Sequence, residues 1–272
     1  MICIHHNDAD GRCAAAIVHR EHPNCRFIEM EYGNPMPWSK IVTHEIVYMV
    51  DFSLPEVVFN RLLEKTSNVV WIDHHKTILD HSCNTPLIPG VRDISKSACE
   101  LTWNYLFPGQ DVPEAVRLIG DYDTWTLALP DSKAFRFGMD LIKHGPKDAI
   151  WDELFHPMLS SMKVAELIDK GQVCLDFVTM MGQEYGNAYG WGTEFEGHRC
   201  FAMGIYMYGS SPFGGRLDEY PVCLSYEFMG DKWIVGLYST QGIDVSVIAK
   251  KYGGGGHTGA AGFVCEELPF KK

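Results

Sequence analysis

Short apolar runs rich in valine and isoleucine alternate with helical stretches through the first half of the chain. The runs predict four strands, over residues 1–5, 25–30, 45–50 and 68–72. Ala-rich and Pro-initiated stretches between them, residues 11–19 and 55–65, predict helices. This alternation is typical of a parallel sheet with helical crossovers, so the first half is predicted to be an α/β domain.

The second half follows a different pattern. Residues 98–151 are mainly helical in character, and residues 162–185 predict one long helix. Three β-type runs then precede Asp244, a candidate N-cap for a helix to about residue 252; these runs are residues 200–202, 222–228 and 233–239. We therefore expect an α/β fold in three parts: a parallel-sheet domain over 1–160, a connector helix over 161–190, and a smaller α+β domain over 191–272.

Acidic and imidazole residues stand at the ends of three predicted strands. They are HHND at residues 5–8, Asp51, and DHH at residues 73–75. A fourth acidic pair, Asp121 and Asp123, follows an apolar helical stretch. Ligand sites of open parallel sheets lie at the carboxyl ends of the strands. We expect these four segments to converge there and to form a polynuclear metal centre.

The spacing of Asp8 and Asp10 is a further indication of bound metal ions. If this segment is extended, both carboxylates project to the same side. Like charges held together are costly unless cations neutralise them. Oxygen and imidazole donors without a thiolate suit Mn²⁺ first, with Mg²⁺, Co²⁺ or Fe²⁺ as alternatives. Two such ions about 4 Å apart can activate a water molecule and stabilise the leaving oxygen of a phosphoester.

Charge and cysteine content exclude several classes of protein. The 272 residues include 23 Lys+Arg and 35 Asp+Glu, for a formal net charge of −12, which argues against a basic surface that grips long nucleic acid. The nine cysteines form no CxxC pair, which argues against a disulfide framework and a structural zinc site. No charged segment followed by an apolar run opens the sequence, so we expect a cytoplasmic protein without a membrane span.

The motifs resemble those of a known enzyme family. HNDADG at 6–11, VD at 50–51, DHH at 73–75 and GD at 120–121 look like the four motifs of DHH phosphoesterases. GGGHTGAAG at 254–262 resembles the GGGHxxAAG motif of the DHHA1 substrate domain. Two domain signatures in the right order, along nearly the whole chain, identify it as similar to manganese-dependent enzymes that cleave phosphoester or phosphoanhydride bonds.

The resemblance implies a role for each motif residue. Asp8 and a histidine of the first motif would hold one metal ion, and Asp51 would bridge two. The second ion would be held by Asp10, His74 and Asp121. The nucleophile would be a metal-bridging hydroxide.

The DHH motif also supplies the residues nearest the substrate. The resemblance implies that His75 stands beside the substrate phosphate, as a ligand or as the proton donor to the leaving oxygen. Asp73 would orient its histidine neighbours.

Two positions leave a choice open. In many family members three residues separate the first-motif histidine from the first-motif aspartate that Asp8 matches. At that position this chain has Ile4, so His6 or His5 must serve. We favour His6. In the fourth motif we favour Asp121 over Asp123, because Asp121 follows the helix-terminal glycine in the family manner.

The glycine run predicts a substrate-binding element. Consecutive glycines, Gly254, Gly255 and Gly256, let backbone N–H groups approach a phosphate, and His257 adds a donor. The alternative is a helix C-cap and hinge. Tyr238 stands where many relatives have an arginine, and it could stack on a base or pack in its strand.

Several other side chains are open to two interpretations. Lys76 and Arg92 could steady a scissile phosphate or lie on the solvated surface. Three tryptophans could form a wall for a nucleobase or belong to the core; they are Trp103, Trp125 and Trp151.

These observations favour a Mn²⁺-dependent phosphodiesterase with two metal ions that hydrolyses short oligonucleotides or dinucleotides to mononucleotides. The expected partner is a short nucleotide substrate, with no membrane and no long duplex nucleic acid. Alternatives are a phosphatase for adenosine 3′,5′-bisphosphate and a cyclic-dinucleotide phosphodiesterase. A single-strand exonuclease and a nucleotide sensor without turnover are less favoured.

Overall fold

The computed structural model of the chain describes residues 1–75 and 88–272. The chain divides into two units, Met1–Gln172 and Val173–Lys272. A single helix of 30 residues, Ser160–Tyr189, contributes to both and agrees with the long helix expected over 162–185. The domain limits 1–160, 161–190 and 191–272 stay a prediction.

A parallel sheet of four strands forms the centre of the first unit. Its strands pair in the order β2-β1-β3-β4. All four predicted strands are confirmed, within two residues at each end. Their bounds are β1 Ile2–His6, β2 Arg26–Met30, β3 Val47–Val50 and β4 Val69–Ile72.

Each face of this sheet carries its own apolar core, as expected for buried parallel strands. Helix α1, Ala9–Glu21, follows β1 and packs with Cys3 in one core. Helix α2, Glu56–Lys65, follows β3 and packs with Ile2 and Ile4 in the other. Because the two crossovers lie on opposite faces, the strand order reverses between β1 and β3. A crevice opens at such a point, outside the carboxyl ends of the strands.

Five helices begin in the described part of the first unit after β4, which confirms the helical character predicted for residues 98–151. Helix α3 begins after Ser97, whose hydroxyl accepts the N–H of Glu100. None of the helices within residues 1–75 and 88–272 is long and apolar enough to cross a membrane. The helices are α3 Ala98–Leu106, α4 Glu114–Asp123, α5 Ser132–Asp140, α6 Ile150–Leu154 and α7 Ser160–Tyr189.

Helices α5 and α7 cross at backbone contact, and glycine makes this possible. A Cβ atom at Gly171 would lie 1.8 Å from the carbonyl oxygen of Ala134 and 2.5 Å from the amide nitrogen of Gly138. These atoms belong to the main chain and cannot move aside as a side chain would. The substitution Gly171→Ala must therefore force the two helices apart.

We expect Gly171→Ala to lower the free energy of unfolding by about 1–3 kcal/mol, the usual cost of overpacking. This corresponds to a fall in Tm of about 2–4 °C per kcal/mol for a chain of this size. Gly215→Ala is the control, because a Cβ there meets nothing within 4 Å. Thermal melts of the two variants provide the comparison, and equal Tm values would contradict the close crossing.

The second unit contains a mixed sheet of six strands in the order β5-β6-β7-β8-β10-β9. Helix α9, Val245–Lys251, packs on it through Val245, Ile248 and Ala249. The carboxylate of Asp244 accepts the N–H of Ser246, which confirms the predicted N-cap. The short helix is α8 Arg216–Glu219, and the strands are β5 Trp191–Phe195, β6 His198–Met203, β7 Val222–Phe228, β8 Trp233–Tyr238, β9 Gly255–Gly256 and β10 Ala260–Cys265.

Candidate metal centre

Asp51 stands directly after β3 and occupies a left-handed backbone conformation, with φ of 53°. Its N–H donates to the carbonyl oxygen of Ile72 at 2.9 Å, which holds it at the end of the sheet. Its side chain is 1% exposed, and neither carboxylate oxygen has a hydrogen-bond partner in the described part of the chain. Backbone strain and a buried carboxylate of this kind are typical of functional sites.

His6 and Asp8 face Asp51 from the end of β1. Nδ1 of His6 lies 2.6 Å from Oδ2 of Asp8 and 3.8 Å from Oδ2 of Asp51. The second oxygen of Asp8 accepts the N–H of Gly11 at 2.8 Å, so Asp8 is the N-cap of α1. One atom from each of His6, Asp8 and Asp51 lies within 4.8 Å of the others, close enough to hold one cation.

Asp10 lies in the first turn of α1, so residues 8–10 do not form the extended segment considered from the sequence. Its two oxygens accept the backbone N–H groups of Ala98, at 2.8 Å, and Cys99, at 3.0 Å. These amides open α3, where the helix dipole favours negative charge. Oδ2 of Asp10 lies 3.6 Å from Nε2 of His74, which places Asp10 at the edge of the cluster.

The DHH segment begins where β4 ends. Oδ1 of Asp73 accepts the N–H groups of His74, at 2.8 Å, and His75, at 3.2 Å, and lies 2.8 Å from Nδ1 of His75. Nε2 of His74 lies 3.2 Å from Oδ1 of Asp51. His74, His75 and Asp51 form a second group whose ligand atoms lie within 4.8 Å of one another. Asp51 is thus common to both groups.

Of the two aspartates in the fourth motif, Asp123 lies beside the other proposed metal ligands and Asp121 does not. Oδ2 of Asp123 lies 3.2 Å from Nε2 of His74. The carboxylate of Asp121 instead accepts the N–H groups of Ala128, at 2.8 Å, and Leu129, at 3.1 Å. The geometry therefore favours Asp123 over Asp121 as the fourth-motif ligand. The physical reason is that two residues along a helix rotate a side chain by about 200°, to the other face.

The structure also separates the two candidate histidines of the first motif. His6 lies in the cluster, whereas Nδ1 of His5 lies 2.7 Å from the carbonyl oxygen of His6 and its ring packs edge-on against Phe27. His5 is 1% exposed, and burial lowers its pKa. Successive strand residues face opposite sides of the sheet, which separates the two histidines.

Burial and the mutual repulsion of the carboxylates shift the pKa values of this cluster. Burial, with the charges of Asp8 and Asp10, raises the pKa of Asp51 well above its ordinary value. Burial, with the charges of Asp10 and Asp8, does the same to the pKa of Asp123. Burial alone would also raise the pKa of Asp8, but the hydrogen bond and charge of His6 hold it far below the ordinary range. Against its own burial, His6 has a pKa raised to about 9 by Asp8.

The residues present fit a pair of divalent cations. Carboxylates that raise one another's pKa are relieved by positive charge, and Asp51 offers two buried oxygens that accept no hydrogen bond from residues 1–75 or 88–272. The donors are oxygen and imidazole, which suit Mn²⁺ and Mg²⁺ better than a thiolate-binding metal. Two ligand groups that share one carboxylate are the arrangement that a dinuclear centre requires.

Sequence reasoning missed two residues at the end of β2. Glu31 accepts a hydrogen bond from Nδ2 of Asn7 at 2.6 Å and lies 3.6 Å from Nε2 of His6. The ring of Tyr32 contacts the rings of His6 and His75, with centroids 5.3 and 5.7 Å apart. The signal was available, because β2 lies beside β1 in a parallel sheet and its end must reach the same edge.

The basic residues considered for phosphate binding are only partly described. Nη1 of Arg92 donates to the carbonyl oxygens of Ile88, at 2.9 Å, and Trp71, at 3.2 Å. Its guanidinium also lies over the Trp71 ring. Arg92 thus helps to hold the chain that follows β4. Lys76 lies outside the described residues.

The glycine run lies in the second unit, between α9 and β10. A Cβ atom at Gly254 would lie 2.0 Å from the carbonyl oxygen of Gly262, and one at Gly256 would lie 2.6 Å from that of Ala260. At Gly255 a Cβ would meet nothing within 4 Å. Close chain packing thus explains two of the three glycines. The substrate contacts at Gly254, Gly255, Gly256 and His257 stay a prediction; Gly255 is exposed and His257 half-buried.

The aromatic residues weighed as base-binding groups are mostly internal. Trp103 and Trp151 are buried and both contact Phe155, so they belong to the core of the first unit. Tyr238 is buried in β8, and its ring lies 5.8 Å from that of Phe213. Trp125 is half-buried and contacts Tyr122. The packing interpretation holds for Trp103, Trp151 and Tyr238.

No family model matches the chain. An uncharacterised protein of Acanthamoeba polyphaga mimivirus is 26% identical over 247 residues, which cover 85% of this chain. The match spans 56% of that protein, so the chain corresponds to little more than half of its relative.

Solved structures provide the clearest likeness. The DHH domain of a protein described as a member of a ribosomal-protein family has a TM-score of 0.57 at 14% identity, with 97% of this chain and 82% of that chain covered. The pGpG-specific phosphodiesterase PggH from Vibrio cholerae has a TM-score of 0.52 at 13% identity, covering 97% and 93%. RecJ from Thermus thermophilus, in complex with Mn²⁺, has a TM-score of 0.50 at 15% identity, covering 97% and 49%. The chain therefore has the fold of the DHH-domain proteins.

Proposed function

We propose that this chain is a metal-dependent phosphoesterase of the DHH kind, which hydrolyses short oligonucleotides or dinucleotides to nucleoside monophosphates with two Mn²⁺ ions. One observation carries the proposal. Asp51, buried at the crevice between β1 and β3, belongs to two ligand groups at once. A shared carboxylate of this kind is what a two-ion site for phosphoester cleavage needs.

The ligands divide between the two positions. His6, Asp8 and Asp51 would hold one cation. Asp51 and His74 of the second group would hold the other, together with Asp123, which lies 3.2 Å from His74. Asp10 lies beside His74, and His75 is assigned to the substrate. When bound, the ions supply an activated water molecule and neutralise the charge that develops on the phosphate. The protein holds these ligands through backbone contacts: the Asp8 N-cap, the Asp51 N–H on Ile72, and the α3 amides on Asp10.

His75 is the group we assign to the leaving oxygen. Its side chain is 22% exposed, against 1% for His74, so His75 faces the side from which a substrate arrives. Asp73 is fully buried and fixes the ring of His75 through Nδ1, while it also accepts the His75 N–H. A histidine oriented in this way can donate a proton to a leaving alkoxide. Asp73 acts through His75 and is a positioning residue.

Three observations support a short nucleotide substrate. The net charge of −12 opposes binding of a long polyanion. The solved structure of PggH, whose fold this chain shares, is described as a pGpG-specific phosphodiesterase, and pGpG is a linear dinucleotide. The second unit carries Gly255 and His257 on the chain between α9 and β10, where they would receive a terminal phosphate.

The test is product analysis after incubation with Mn²⁺ or with a chelator. The panel holds 5′-phosphorylated dinucleotides, longer RNA, single-stranded DNA, cyclic dinucleotides, adenosine 3′,5′-bisphosphate and pyrophosphate. We expect Mn²⁺-dependent conversion of the linear dinucleotides to mononucleotides at the highest rate. Protein carrying Asp51→Asn, purified in the same way, controls for contaminating nucleases. Tight nucleotide binding without turnover of any member would overturn the proposal in favour of a sensor.

A further inference from the structure

A cavity of about 370 Å³ lies in the first unit, between the chain that follows β2 and the chain that joins β3 to α2. We propose that this cavity binds a nucleobase of the substrate, carried by a nucleoside next to the scissile phosphate. The inference rests on the proposed function and deepens it. Its principal wall residues are Tyr32, Met36, Trp38, Phe52, Leu54 and Arg61.

The cavity and the metal centre share two wall residues. The rings of Tyr32 and Phe52 stack, with centroids 4.8 Å apart. Phe52 also stacks on the ring of His6, and Tyr32 contacts the rings of both His6 and His75. The cavity therefore borders the proposed metal centre through these two aromatic residues. We place in it the base of a nucleoside that is esterified to a phosphate at the metal centre.

Trp38 forms another part of the wall. The guanidinium of Arg61 lies 4.4 Å from the centre of its ring. Nζ of Lys65 donates to the Trp38 carbonyl oxygen at 2.8 Å, which fixes the short 3-10 turn Trp38–Lys40 to α2. Pro35 and Pro37 precede this turn and restrict the backbone that leads into it. The wall is thus formed before a ligand arrives, which lowers the entropic cost of binding.

The chemistry of the walls favours a flat, neutral, aromatic ligand. Among the described residues, Arg61 is the charged one that lines the cavity, and no carboxylate does. The positive charge of Arg61, with no carboxylate among the described wall residues to balance it, disfavours a cationic ligand. The N–H groups of its guanidinium can donate to the carbonyl oxygens and ring nitrogens of a base. Asn34 and the buried Ser53 add polar groups among the apolar ones. A few polar groups in a mostly apolar cavity of this volume are usual for small-ligand sites.

Binding by the Mn²⁺-loaded chain tests the inference directly. Isothermal titration compares AMP with ribose 5-phosphate, which carries the same phosphate and sugar without a base. We expect AMP to bind about tenfold tighter or more, the effect of stacking one base. We expect Trp38→Ala to remove this difference and Trp38→Phe, which keeps a flat ring, to restore part of it. Equal affinity of the wild-type chain for both ligands would overturn the inference.

A kinetic comparison separates this inference from the proposed function. The ratio of kcat/KM for a 5′-phosphorylated dinucleotide to that for its abasic analogue should fall about tenfold in Trp38→Ala. Tyr105→Ala removes an aromatic ring, 36% exposed, from α3 outside the cavity and should leave the ratio unchanged. If the chain turns over the dinucleotide and its abasic analogue equally well, the cavity assignment is wrong and the phosphoesterase proposal stands. Base-dependent AMP binding through Trp38 without any turnover supports the cavity and overturns the phosphoesterase.

Discussion

Asp51→Asn is expected to abolish the binding of two Mn²⁺ ions and to lower kcat/KM by roughly 10³-fold, because several kcal/mol of metal stabilisation are lost and each 1.36 kcal/mol is tenfold in rate. Asparagine fits the left-handed backbone at this position, so the fold is kept. However, its amide offers one oxygen in place of two and turns N–H groups toward the ions. Metal content by mass spectrometry and steady-state kinetics measure the two effects.

The matched control is Asp169→Asn, which makes the same change at an exposed position on α7. It should bind metal and turn over as the unmodified chain does. Retention of two ions and full activity by Asp51→Asn would contradict the shared-carboxylate arrangement. Loss of activity with both ions still bound would mean that Asp51 orients the substrate instead.

The same substitution should make the metal-free protein more stable. The raised pKa of Asp51 means that the folded state holds this proton more tightly than the unfolded state does. Asp51 therefore costs stability as the pH rises above the ordinary carboxyl range, near about 4. Asparagine carries no charge, so the gain should be near zero at about pH 4 and reach about 1 kcal/mol or more at about pH 8. Thermal melts with a chelator measure it, and a variant that melts below the unmodified chain at the higher pH contradicts this account.

Asp123→Asn is expected to lower Mn²⁺ affinity and kcat/KM by about 10²-fold, whereas Asp121→Asn should change either by less than about threefold. The reason is the position of each carboxylate. Asp123 lies 3.2 Å from the imidazole of His74, and Asp121 accepts two backbone N–H groups on the other face of the helix end. The two variants make the same chemical change, so each controls for the other.

Stability separates these two aspartates as well. Asp121→Asn leaves one of the Ala128 and Leu129 amides without its acceptor, which should cost about 1 kcal/mol. Asp123→Asn removes a buried carboxylate whose pKa is raised, so the metal-free protein should not lose stability. Metal titration and thermal melts of both variants show which aspartate is the ligand. The opposite pattern, with metal lost on changing Asp121, would restore the assignment that the sequence favours.

Much of the first unit could be predicted because its signals are local. Buried parallel strands form continuous apolar runs, and these located all four strands. The rule that parallel strands present their carboxyl ends at one edge then brought together Asp51 and the DHH segment. The structure shows this convergence directly, since Nε2 of His74 lies 3.2 Å from Oδ1 of Asp51.

In the fourth motif, helix periodicity favours a different aspartate from the one that the glycine rule selects. In α4 the buried residues Val116 and Ile119 precede Asp123 by seven and four positions. Side chains at these intervals share one face of a helix, so Asp123 belongs to the buried face. The choice of Asp121 rested on its position after the motif glycine and did not consider which face of the helix each aspartate occupies.

Three strands of the second unit were missed, β5, β9 and β10, and for β9 and β10 the cause is different. Strand β10, Ala260–Cys265, begins with alanine and glycine, and β9 is made of two glycines. These residues have low β-propensity, and their strands form because β8 offers an edge with which β10 pairs. Such pairing is a tertiary effect that no local pattern reveals.

The proposed ligands stand at positions 6, 8, 51, 74 and 123, on four segments that are far apart in the chain. In the unfolded chain, bringing these segments together costs loop-closure entropy that no local contact returns. A cation can therefore bind only after β1, β3, β4 and α4 have assembled, and its binding free energy is added to that of the whole first unit. At a metal concentration of about 100 times Kd, this linkage amounts to about 2.7 kcal/mol. The supply of metal would then shift the fraction of chains that are folded as well as the rate of turnover.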